Sequence, residues 1–196
     1  TGIKKRHYVD AGVGPSDLAI PATEQALEAA GLQVRDIDFI IFATSTPDFY
    51  APGSGGLLQE KMGFNEIGAL DIRVQCSGFL YGLSNAEKYI KTSEFNHILL
   101  IGAEVQSTAM LLNDEGRDTA VIFGDGAGAV VISKTKLEKG ILSSHLHSEG
   151  KYAKELWLET PSSKLNPRIS SKLINRGSHF LKMNGSCLLY TSDAAD

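Results

Sequence analysis

Between residues 38 and 101, short apolar runs alternate with stretches of helical period, and this limits the fold more than any other feature of the chain. Residues 38–44 (DFIIFAT), 69–75 (ALDIRVQ) and 97–101 (HILLI) read as strands. The first and last are apolar nearly throughout, as strands covered on both faces are. Residues 16–30 (SDLAIPATEQALEAA) read as a helix capped by Ser16, opened by Asp17 and closed by Gly31. Leu18, Ala22, Ala26, Ala29 and Ala30 mark its buried side, and Pro21 is expected to kink or shorten its start. Residues 54–62 form a second helix stopped by Gly63. A third, over residues 77–93, carries Phe79, Leu80, Leu83, Ala86, Tyr89 and Ile90 as one apolar stripe. Apolar β-rich pieces at residues 120–123 and 127–132 flank the turn Gly124-Asp125-Gly126, and residues 140–146 suggest one more strand. Beyond them, residues 151–176 turn polar and irregular, as a surface excursion does. The alternation implies an α/β fold, with a mainly parallel mixed sheet and helices on both faces.

Where the second of these strands hands over to the third helix stands Cys76, in the string DIRVQCSGFLYGL. A thiol there lies near the helix's free N–H groups and the positive end of its dipole, which favours thiolate. Gly78 lets the first turn approach closely, and N–H groups of such a turn can receive an oxyanion. The competing reading is a small buried hydrophobe, since free cysteines are among the most buried residues. Two cysteines in 196 residues do not make a disulfide framework, and Cys187 receives no role. His145 and His147 alternate as strand residues do, but two ligands without a third make no metal site. The glycines at 124, 126 and 128 have the wrong spacing for a dinucleotide fingerprint, and a strand rather than a helix follows them.

The net charge of −4 argues against nucleic acid as the main partner. No apolar run approaches membrane-spanning length, and the opening TGIKKRHYVD lacks the apolar stretch of a secretory signal. A cytoplasmic location is therefore the expectation.

Six strings occur in order: TGIKKRH, ATSTPD, VQCSGFLYGL, IGAEV, GRDTAVIFGDGAGAVVI and HLHSEG. Together they resemble β-ketoacyl-acyl-carrier-protein synthase III and its relatives, over residues 1 to about 185. The resemblance implies a thiolase-like fold, incomplete here, and a homodimer. It makes Cys76 the thiol that accepts an acyl group from acyl-CoA, before decarboxylative condensation with malonyl-acyl-carrier-protein. No cofactor and no metal are implied, only these substrates. Arg117 matches an arginine that stacks on the CoA adenine, a role suited to a planar cation. Phe123 matches an acyl-pocket phenylalanine, and an ordinary core aromatic would look the same. Ala51 stands where a larger residue often reaches the partner's acyl pocket, so a small side chain there implies room for a longer acyl group.

The family also uses a His and an Asn from its second half, and none of His7, His97, His145, His147 or His179 matches that histidine. Those groups, and the basic surface for the acidic carrier protein, are expected outside this chain. Residues 1–150 are therefore read as the N-terminal half without its first strand and helix, and residues 151–185 as the start of the second. Residues 186–196 (SCLLYTSDAAD) continue no periodicity and are read as a non-native tail. A hydroxymethylglutaryl-CoA synthase, a head-to-head condensing enzyme or a secondary-metabolite acyltransferase would share the cysteine and the fold. A non-catalytic thiolase-fold subunit is the reading from another class, and an activated thiol argues against it.

Overall fold

Ile40, Ile41, Phe42, Leu99, Leu100 and Ile101 are completely buried, and they are the residues around which the chain folds. Each contributes about 1.5–3 kcal/mol when removed from water. The computed structural model describes residues 2–92, 95–137 and 139–185. Two units divide them: the larger holds the described residues of 7–105 and 125–146, the smaller residues 2–6, 106–124 and 147–185.

In the larger unit, β1 (Phe39–Ala43), β2 (Gly68–Ile72), β3 (His97–Val105) and β4 (Asp125–Ser133) form one sheet in the order β2-β1-β3-β4. Phe39 aligns with Gly68 on one side and Ile98 on the other, both in parallel ladders. Against β3, β4 runs antiparallel, from His97 opposite Ser133 to Val105 opposite Asp125. Because side chains alternate across the sheet, one face presents Ile40, Phe42, Leu99 and Ile101. They pack with Ala19 and Leu27 of α1 (Pro15–Ala30) and Leu58 of α2 (Ser54–Met62). The opposite face presents Ile41, Ile98 and Leu100 to Ala86 and Ile90 of α3 (Gly78–Thr92). This is the α/β arrangement expected, a mixed and mainly parallel sheet with helices on both faces. Glycine lets α3 lie close to the sheet: a Cβ at Gly82 would stand 2.4 Å from Leu100 Cδ1.

The starts of α1 and α2 are tied down by acids, one within the helix and one from a neighbouring strand. Gly14, not Ser16, occupies the N-cap of α1, with Pro15 as first helical residue and the Asp17 carboxylate accepting from Gly14 N–H at 2.9 Å. Ser16 instead donates its hydroxyl to Asp48 at 2.7 Å. Lys61 hydrogen-bonds Asp17, which with the Gly14 N–H holds that carboxyl below its ordinary range. On β2, Asp71 accepts from Ser54 N–H at 2.5 Å and Gly55 N–H at 2.9 Å, capping α2 from the adjacent strand. Gly31 and Gly63 close α1 and α2 in the left-handed region, each at φ 67.

Several expectations need correction. Pro21 neither shortens nor ends α1, since its ring lies on the exposed side and only one ladder bond is lost. The core side of α1 is Ala19, Thr23, Ala26 and Leu27, while Ala29 and Ala30 are exposed. Leu18, Ala22 and Ala29 line an open groove beside Ala127 and Ala129 of β4. On α3, Leu80 leaves the stripe and is 59% exposed. Residues 120–123 are no strand, because Thr119 O accepts from Ile122 N–H at 3.0 Å and Phe123 N–H at 3.1 Å, following the short α4 (Arg117–Ala120). Residues 140–146 form no strand either; Leu142 there is 90% exposed.

In the smaller unit, Arg6 hydrogen-bonds the carbonyls of Val121 and Ile122. The stretch expected to be irregular also contains β5 (Leu156–Trp157) and α5 (Ser171–Asn175). β5 pairs antiparallel with β6 (Lys182–Met183), Trp157 opposite Lys182. Glu159 is paired with Arg176 and Lys182. The tail at residues 186–196 lies outside the described residues.

Candidate active site

The parallel strands β1, β2 and β3 end on one edge of the sheet, the edge at which open α/β sheets place their ligands. β2 stops at Ile72, three residues earlier than its sequence pattern suggests, and Gln75–Ser77 form a 3-10 turn that leads into α3. Gln75 stands at φ 46, making it the one non-glycine residue with positive φ among the described residues. That conformation costs on the order of 1 kcal/mol or more. The Ser77 N–H and hydroxyl both donate to Val74 O, at 3.3 and 3.0 Å, and close the turn. Gly78 is buried, and a Cβ there would come within 3.2 Å of Ala43 Cβ at the end of β1.

These constraints leave Cys76 exposed at the N-terminus of a 15-residue helix. Within this chain Cys76 is not packed into the core. A thiol so placed lies at the positive end of the helix dipole, while the next two N–H groups close the turn, Ser77 N–H onto Val74 O and Gly78 N–H onto Gln75 O.

Ala51 lies in the same unit, exposed in the loop between β1 and α2. Arg117 and Phe123 belong to the smaller unit. There Arg117 is exposed as the first residue of α4, and Phe123 is half-buried just past its end. His97 opens β3, at the edge opposite the Cys76 turn, with Nδ1 at 2.9 Å from Ser133 Oγ. His145 and His147 are exposed, and among the described residues no three His, Cys, Asp or Glu side chains are grouped to hold a metal. No helix of the described residues is long and apolar enough to cross a membrane.

Sequence reasoning missed two residues of this edge. Gln75 carries no composition signal, because only the backbone reveals its strain. Glu104 had one: a carboxylate inside the apolar strand HILLIGAEV requires donors, and Ser45 and Thr46 supply them.

The strand, the tight cysteine turn and the helix packed on a mixed sheet are those of a thiolase-like α/β fold, as solved structures similar to it also have. The family model for 3-oxoacyl-[acyl-carrier-protein] synthase III matches residues 70–150, which include Cys76. The chain is 41% identical over 184 residues to the β-ketoacyl-[acyl-carrier-protein] synthase III of Methylococcus capsulatus, covering 93% of this chain and 56% of that protein. The crystal structure of the synthase III from Aquifex aeolicus superposes with TM-score 0.82 at 33% identity, over 97% of this chain and 56% of that one. A further 3-oxoacyl-(acyl-carrier-protein) synthase III structure gives TM-score 0.90 at 27% identity, over 99% and 60%. By sequence and fold the chain is a member of the β-ketoacyl-acyl-carrier-protein synthase III family. It spans little more than half the length of the relatives it matches.

Proposed function

We propose that the protein to which this chain belongs is an acyltransferase that starts fatty acid synthesis by decarboxylative condensation, with Cys76 as nucleophile. The Cys76 thiolate attacks the thioester carbonyl of an acyl-CoA. A carbon–sulfur bond forms to Cys76 as the bond to coenzyme A breaks, and coenzyme A leaves as its thiolate, which takes a proton from water. Malonyl-acyl-carrier-protein then loses CO2, and the electron pair left on its α-carbon attacks the acyl-Cys76 carbonyl. Cys76 departs as thiolate and the β-ketoacyl-acyl-carrier-protein is released. Covalent catalysis suits the step, because a thioester is a good electrophile and a thiolate a good leaving group.

The observation that carries this reading is the exposed thiol in the strained turn before α3. Arg117 is assigned to the CoA adenine, Phe123 and Ala51 to the acyl pocket, and the His and Asn that stabilise the carbanion to residues outside this chain. The same reading takes residues 1–150 as the N-terminal half and residues 151–185 as the start of the second, in a cytoplasmic homodimer without cofactor or metal.

The test is CO2 release from malonyl-acyl-carrier-protein by the protein with and without acyl-CoA. Release that depends on acyl-CoA and yields a β-ketoacyl product is expected; its absence rejects the assignment. Ala51 gives a second expectation: Ala51→Phe shortens the preferred acyl chain. Rates across acyl-CoA lengths that keep their order in the variant reject that role.

A further inference from the structure

Glu104 lies near the end of β3, in the larger unit with Cys76. Its carboxylate accepts from Ser45 N–H at 2.8 Å, from the Ser45 hydroxyl at 2.8 Å and from the Thr46 hydroxyl at 2.7 Å. The Thr46 oxygen in turn accepts from Val105 N–H at 2.8 Å. The segment leaving β1 is thus fastened to the end of β3 by charge-assisted bonds, which are about twice as strong as neutral ones. On its other side, Thr44 N–H donates to Ile72 O at 3.2 Å, joining the same segment to the end of β2. Ala43, the residue before it, is the one against which Gly78 packs, two positions after Cys76.

We propose that Glu104 is a positioning residue: by fixing residues 44–46 across the ends of β1 and β3, it holds the surface on which the Cys76 turn and the first turn of α3 sit. A strained turn keeps its shape only where its surroundings over-determine it, and the approach of Gly78 to Ala43 leaves no slack. If residues 43–46 move, Gly78 follows, and the turn no longer presents Cys76 in the direction an acyl carbonyl needs. Glutamine at 104 keeps the volume but exchanges an acceptor for an NH2 group facing hydroxyls that already donate. The inference rests on Cys76 being the acyl acceptor.

The experiment compares two reactions at Cys76, followed by peptide mass: acylation by acetyl-CoA, which needs an aligned carbonyl, and alkylation by iodoacetamide, which does not. In Glu104→Gln, acylation is expected to fall by roughly ten-fold or more, the scale on which small misplacements act. Alkylation and the urea unfolding midpoint stay near wild type, and Glu104→Asp recovers part of the acylation rate. Thr46→Val removes the hydroxyl's bonds to Glu104 and to Val105 N–H without touching the charge, and it decides the matter if Glu104→Gln loses stability; it should show the same selective fall. Acylation that is unchanged, or that falls only in step with alkylation, overturns the role of Glu104 and leaves Cys76 as acceptor. A wild-type protein that is alkylated but never acylated at Cys76 overturns both.

Discussion

Cys76→Ala abolishes acylation of the protein by acyl-CoA: the acylated Cys76 peptide disappears, and no other residue takes its place. The rate falls on the order of 10^4-fold or more, as when a catalytic nucleophile is deleted elsewhere. The fold should be indifferent to the change. Cys76 is exposed and its side chain fills no core space, so unfolding stays within about 0.5 kcal/mol of wild type. Cys76→Ser separates the nucleophile from the turn that presents it. A serine hydroxyl needs an adjacent base, and the nearest functional gift of this turn is a helix N-terminus, which helps a thiolate far more than an unionised alcohol. Serine is therefore expected to be nearly as inactive as alanine, although it is the closer isostere. Intact-mass measurement after incubation with acetyl-CoA decides it. Persistent acylation of Cys76→Ala at another position would remove the proposed acceptor, and full activity of the serine variant would place a base beside it.

Much of this site was legible in the sequence because it is built from local chemistry. Apolar runs too short for helices gave β1 and β3, Gly31 and Gly63 gave the ends of α1 and α2, and the handover from strand to helix gave the place of Cys76, with its exposure left open. The failures have a common cause, namely backbone groups satisfied by residues distant in sequence. Ser16 looked like a cap, but Asp48 claims its hydroxyl and Gly14 takes the cap position. Residues 120–123 looked like a strand, yet Thr119 and Arg6 occupy the backbone groups that a sheet would need. Glu104 drew no reading because it lies beyond the apolar run 97–101, and only the return of residues 44–46 to it gives it a task. Periodicity records which face is apolar; it does not record which polar atoms meet.

Gly116→Ala is the substitution expected to damage the proposed CoA site most, although it adds one methyl group next to Arg117. Gly116 is buried with φ −87, a conformation open to any residue, so backbone freedom is not the reason for glycine. Space is. A Cβ there would lie 1.8 Å from the carbonyl oxygen of Leu111 and 2.7 Å from its carbonyl carbon. These are backbone atoms, so no side-chain rotation relieves the clash, and residues 111–116 must open. Opening breaks the Asn113 cap, in which the side-chain oxygen accepts from Glu115 N–H at 3.0 Å and Gly116 N–H at 3.1 Å. It also frees Thr119, whose hydroxyl donates to Gly116 O at 3.1 Å, and α4 with Arg117 at its start is displaced. Overpacking of this kind costs about 1–3 kcal/mol. Arg117→Ala, which removes the guanidinium without moving the loop, should weaken acyl-CoA binding while leaving stability unchanged. Gly116→Ala should do both. The acyl-CoA concentration for half-maximal acylation, measured beside the urea midpoint, separates the two. If Gly116→Ala keeps both values, the close approach of Leu111 is not a constraint on the protein; if it loses stability alone, Arg117 is not what holds the CoA.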